Sequence, residues 1–243
     1  MKRTLFISTL VLGAAAAANA QVIFNNLTLA DGSSNFSGSA VAYGGASAGI
    51  AKMDASLLST IGGGTTITQA TFSVYNANTT ALSVRARIRF YADDATGGPG
   101  TGPGTYIAGY SFNLFSFTAG VTNLTGTGLS IAIPNSGKIW AGLTFDNVGN
   151  TSVTDAQLSN FGLGLFNQPA TVGSTVDTTW TSNAATSGLF SNIAGSSTTY
   201  TNAAGAPIVG GWSLGAPVPE PASMAALGLG TLALIRKRRN RKA

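Results

Sequence analysis

The chain has 243 residues, of which only 9% are charged and 44% are hydrophobic, with 12 Phe, 32 Gly, no Cys and no His. That apolar content excludes disorder, and the missing His and Cys exclude Ser-His-Asp and Cys-His catalysis, imidazole or thiolate metal sites and disulfides. The formal charge of +5 does not mark a nucleic-acid binder, because Lys2, Arg3 and a terminal cluster hold the excess, while Lys52, Arg85, Arg87, Arg89 and Lys138 face seven Asp between Gln21 and Pro219.

Residues 1–20 read as a secretory signal. Lys2 and Arg3 form a positive start, an apolar run follows from Leu5, and Ala18-Asn19-Ala20 is an A-x-A cleavage site that makes Gln21 the first mature residue. An uncleaved N-terminal anchor is the alternative, but the run is short and ends in small residues. The partners this implies are the Sec translocon and signal peptidase.

From Gln21 the chain alternates apolar and polar residues with period two, the mark of strands with one buried face. Leu82, Val84, Ala86, Ile88 and Phe90 are expected to face a core, with Ser83, Arg85, Arg87, Arg89 and Tyr91 outward. Within 138–146, Ile139, Ala141, Leu143 and Phe145 alternate with Trp140, Gly142 and Thr144, and Asp146-Asn147 then signals a turn. Further strands are expected over 22–29, 66–75, 107–117, 129–133, 158–166 and 208–214. Gly62-Gly63-Gly64, the Gly-Pro run 97–104 and Pro134-Asn135-Ser136-Gly137 break the chain between them. Residues 51–60 read as one short helical turn. About eight strands with turn chemistry predict an all-β domain over 21–216, an antiparallel two-sheet sandwich of Ig-like or jelly-roll type. A closed or solenoidal β architecture is the runner-up; no repeat of fixed period supports the solenoid.

Three constellations in this domain have the chemistry to bind something. Arg85, Arg87 and Arg89 repeat along one strand face and suit charge-assisted hydrogen bonds to an acidic polysaccharide, against the plain reading of a solvated face. Asp93, Asp94 and Asp146 are weak candidate oxygen ligands for Ca²⁺ if their turns meet, against the plain reading of turn formers. Trp140, Trp180 and Trp212 form either a sugar-stacking platform or core. No other cofactor is expected. An enzyme would have to rely on Asp, Lys, Tyr or Ser, and the reading is of a non-enzymatic domain.

Past the domain, segment 217–243 has three ordered parts. Pro217-Val218-Pro219-Glu220-Pro221 is a rigid linker, 222–235 is apolar, and Arg236, Lys237, Arg238, Arg239, Arg241 and Lys242 form a basic stop. A helix over 222–235 would rise about 21 Å, less than the ~30 Å hydrocarbon core. It would be a short, temporary transmembrane helix whose basic end stays cytoplasmic. Glu220, at the centre of the tripeptide, is the only Glu in the chain.

This tail resembles the PEP-CTERM sorting signal of Gram-negative exopolysaccharide-producing bacteria, with Pro219, Glu220 and Pro221 as its tripeptide, Gly228 and Gly230 in the apolar segment, and the Arg-rich end. The resemblance implies recognition by an exosortase, a membrane cysteine protease that cuts near the tripeptide. It also implies residence first in the inner membrane and then in the cell envelope or extracellular matrix. The block 71–117, with its Arg-rich strand, Tyr91-Ala92-Asp93-Asp94 and Gly-Pro loop, looks like the β-sandwich modules found ahead of such tails. Together these readings predict an exported surface or biofilm-matrix protein with a structural or adhesive sandwich, flanked by a signal helix and a short hydrophobic helix. The alternative is a carbohydrate-binding module for exopolysaccharide; a secreted enzyme ranks below it.

Overall fold

The computed structural model describes residues 20–42, 50–95, 101–146, 150, 152–185 and 195–217. Strands take up 64% of these residues and helix 2%. In chain order they are β1 (Gln21–Asn25), β2 (Phe36–Ala42), β3 (Ile50–Ser59), β4 (Thr66–Asn76), β5 (Leu82–Ala92), β6 (Tyr106–Phe117), β7 (Gly120–Ala132) and β8 (Lys138–Asp146). A single-turn helix, α1 (Asp155–Leu158), precedes β9 (Phe161–Asn167), β10 (Ser174–Ala185), β11 (Ser196–Thr198), β12 (Tyr200–Thr201), β13 (Pro207–Gly210) and β14 (Trp212–Ala216). Ala20–Pro217 clusters as one unit. The expected signal segment 1–19 and sorting segment 218–243, with their helices, lie outside the described residues.

Two antiparallel sheets form the sandwich the alternation predicts. One runs β1-β14-β4-β9-β13-β12, with β2 added on β9 and β7 on β4; the other runs β11-β10-β3-β8-β5-β6. Between them lies a continuous core. It takes Phe72 and Val74 from β4, Phe161 and Leu163 from β9, and Trp212 and Leu214 from β14. Against these pack Leu82, Val84, Ala86, Ile88 and Phe90 of β5 and Ile139, Ala141, Leu143 and Phe145 of β8. Each large side chain buried there contributes roughly 1.5–3 kcal/mol, and edge-on contacts such as Phe145–Phe161, 4.6 Å between centroids, knit the sheets together.

Several expectations need correction. Residues 51–60 are not a helical turn but most of β3, which pairs with β8 and β10. The strand expected over 22–29 ends at Asn25, 129–133 is the tail of the 13-residue β7, and 158–166 begins in α1. The strand expected over 208–214 breaks at Gly211 into β13 and β14, each pairing with a different partner. Buried Asn26 bridges that break: its Nδ2 donates to the Gly210 carbonyl (2.9 Å) and its Oδ1 accepts from the Trp212 amide (2.8 Å). A Cβ at Gly211 would sit 2.4 Å from the Phe166 ring, so only glycine fits the crossing.

The outer face of the second sheet is not the wet surface the alternation suggests. Met53, Ala55, Leu57, Tyr91 and Trp140 form a second buried cluster there, with Trp180 packed against it. β8 is consequently buried on both faces over nearly its whole length.

Candidate functional site

The arginine row follows from strand period. In β5, Arg85, Arg87 and Arg89 share the face opposite the core residues, about 6.6 Å apart at each step. Register then brings them a partner: Arg85 lies opposite Asp146 of β8, and Arg87 and Arg89 lie opposite Ser111 and Gly109 of edge strand β6. Arg85 Nε donates to Asp146 Oδ1 at 2.9 Å and its Nη2 to Oδ2 at 2.7 Å, while Arg87 Nη1 stands 3.2 Å from the same Oδ2. Asp146 is 2% exposed.

The row faces away from the core as expected, but it is not simply a solvated face. The Arg85 and Arg87 side chains are 22% and 14% exposed, and Arg89 is buried. Burial draws the Arg87 guanidinium below its ordinary range, opposed by the Asp146 charge. Tyr91, expected to point outward, is fully buried; burial raises its phenol, and the positive charge and hydrogen bond of Arg89 act against that shift.

Beside the row lies an open recess of about 270 Å³, lined by Arg87, Ile88, Arg89, Tyr106, Gly109, Tyr110 and Ser111. Tyr106, 38% exposed, makes an edge-on contact with Tyr91 at 5.5 Å. Its hydroxyl reaches back over Gly109, where a Cβ would come within 2.7 Å of it. Glycine at 109 thus lets an aromatic ring lie along the sheet next to Arg89. Two guanidiniums, a third one step along, one counter-carboxylate and a half-exposed ring suit an anion carried on a sugar-like ring.

The other two constellations are not assembled. Asp93 and Asp94 follow Ala92, which pairs with Ile139, whereas Asp146 pairs with Arg85. Seven strand steps separate those pairs, about 23 Å, so the weak calcium set Asp93, Asp94 and Asp146 is split between opposite ends of the sheet. Asp93 instead accepts from the Trp140 indole N–H (3.0 Å), and Asp94 from the Thr105 amide (2.6 Å). Among the described residues no three His, Cys, Asp or Glu cluster. The tryptophan platform is likewise overturned: Trp140 and Trp212 are fully buried, and Trp180 packs edge-on against Trp140 at 6.5 Å.

Sequence reading missed Tyr106, Gly109 and the counter-ion role of Asp146. Each depends on cross-strand register, and the only linear cue was the alternation on either side of the 93–105 loop.

Of the processing residues, Ala20 and Gln21 are described; Gln21 opens β1 opposite Ala216 of β14. Ala18, Pro219, Glu220, Pro221 and the cluster Arg236, Lys237, Arg238, Arg239, Arg241 and Lys242 lie outside the described residues. Among the described residues no helix is long and apolar enough to cross a membrane. No curated protein and no solved structure matches the chain. A family model, the PEP-CTERM protein-sorting motif, matches residues 217–239 and covers the linker, the apolar segment and the basic cluster through Arg239. The motif implies export and exosortase processing. The chain thus carries a PEP-CTERM protein-sorting motif at residues 217–239.

Proposed function

We propose that this is a non-enzymatic protein of the cell envelope or extracellular matrix, released from a transient membrane hold by exosortase, whose sandwich adheres to an acidic polysaccharide at the Arg87–Arg89–Tyr106 recess. The observation that carries the adhesive part is the recess itself. Arg85 and Arg87 meet the carboxylate of Asp146, Arg89 follows on the same strand face, and a half-exposed tyrosine ring lies beside them. Guanidinium pairs hold carboxylate groups through charge-assisted hydrogen bonds, and an aromatic ring packs on the apolar face of a sugar. The positive charge of the row would distinguish an acidic from a neutral polymer.

Affinity electrophoresis of the purified domain through gels containing polygalacturonate or dextran tests this. Wild-type protein is expected to be retarded by polygalacturonate alone, and Tyr106→Ala and Arg87→Gln to lose roughly tenfold in affinity at unchanged fold. Equal mobility in both gels would leave a structural protein without a glycan site.

A further inference from the structure

Two consecutive strands on one flank of the sandwich end their sheets. β6 pairs with β5 and β7 with β4, and among the described residues neither has a strand on its other side. From Tyr106 through Ala132 this flank holds no charged residue and no proline. Lysines, prolines, bulges and shortness are the usual protections of an edge, because its free N–H and C=O groups otherwise accept another strand. The remaining edges have such protection: β11 and β12 are 3 and 2 residues long, and β1 and β2, of 5 and 7, each carry a register break.

β6 is protected by its own irregularity. It loses register with β5 between Phe112 and Phe115 and again between Tyr106 and Ala108. Leu114, inside the first break, has a φ of 28°, uncommon for a residue with a side chain. β7 is regular over 8 consecutive residues, Gly120 to Thr127, which oppose Asn76 to Gln69 of β4 without a break. The bulge comes only afterwards, where Gly128 takes a φ of 69°; beyond it the Ser130 amide donates to the Tyr110 hydroxyl of β6 at 3.0 Å. An uninterrupted edge of about 27 Å is left. Its outer face shows Val121, Asn123, Thr125 and Thr127, all exposed, while on the inner face Leu124 packs against the core and is only partly buried.

We infer that Gly120–Thr127 is a dimerisation edge: two copies of the chain pair antiparallel about a two-fold axis at Leu124 and continue the β4–β7 sheet from one domain into the next. Register follows from face and symmetry. Opposite residues of a continuous sheet share a face, so a residue of one copy meets one an even number of positions away in the other. An axis at Leu124 sets the half-covered leucine against its own copy on the core side, and Asn123 of each copy opposite Thr125 of the other on the outer side. Leu124 gains apolar cover, Asn and Thr suit a cross-strand hydrogen bond, and no like charges meet. One such edge per chain is consumed by one partner, so pairing closes at two copies rather than growing.

Because the chain has no Cys, a single introduced thiol reports the register. Full-length Leu124→Cys in mild detergent is expected to oxidise to a disulfide dimer, since opposite residues of an antiparallel pair lie about 5 Å apart between Cα atoms. Asn123→Cys, whose copy would lie two positions off register and roughly 8 Å away, is expected to cross-link at least roughly tenfold more slowly. By sedimentation in density-matched detergent the wild-type chain is expected to be a dimer. Asn123→Lys with Thr125→Lys sets lysines opposite lysines at exposed positions and is expected to weaken the dimer at least roughly tenfold at an unchanged urea midpoint. A wild-type chain that stays monomeric leaves the edge to another occupant and overturns the inference, as does a dimer that the two lysines leave intact. Equal cross-linking at 123 and 124 overturns the register.

Discussion

Replacing Asp146 by Asn tests whether the arginine row is organised by its counter-ion. The carboxylate is 2% exposed and takes contacts of 2.9, 3.2 and 2.7 Å from Arg85 and 3.2 Å from Arg87. Asn keeps one acceptor but turns an amide N–H₂ toward a guanidinium and removes the negative charge that faces Arg85 and Arg87. Breaking one side of a buried ion pair costs about 3–5 kcal/mol. The two arginine side chains keep 22% and 14% exposure, so water recovers part of that. The expected loss is about 2–3 kcal/mol, or a fall in Tm of roughly 5–10 °C for a domain of this size. Urea unfolding followed by tryptophan fluorescence measures it, with an unchanged m-value showing that the transition stays comparable. A loss below about 0.5 kcal/mol would put the cluster in the class of solvated surface pairs and refute the picture of Asp146 as the anchor of the row.

Asn26→Ala strands the Gly210 carbonyl and the Trp212 amide at the β13–β14 break; two buried unsatisfied groups predict a loss of about 2–4 kcal/mol, visible in the same unfolding assay. The Thr105 amide and side chain hold Asp94 below the ordinary carboxylate value of 3.8. The Asp94–Thr105 bond is therefore fully formed above pH 3.8 and lost as pH falls through the lower folded value. Hydrogen exchange at the Thr105 amide should show protection fading only in that acid range, and Asp94→Ala should abolish it at neutral pH.

Much of this molecule is legible in its linear order. Period-two alternation places the core face of β5 and both ends of β8, because each of these strands sends apolar side chains into the space between the sheets at every second position. The linker, apolar segment and basic cluster are legible because membrane chemistry acts on local composition, and their order resembles a known sorting signal. β3 and β10 escape that reading for a physical reason. β3 buries Met53, Ala55 and Leu57 on one face and Asp54, Ser56 and Leu58 on the other, so polar residues occupy a buried face and polarity does not mark which side is wet, and the Thr-rich β10 offers little apolar contrast. Composition and periodicity by themselves determined an all-β domain followed by a short apolar segment with a basic end; the sorting role came from that tail's resemblance to a known signal. Only the tertiary structure decided that Trp140 is core, that Asp146 binds the arginines and stands far from Asp93 and Asp94, and that Gln21 lies opposite Ala216. Each of these depends on which strands become neighbours and in what register, and no local residue pattern encodes a contact between positions so distant along the chain.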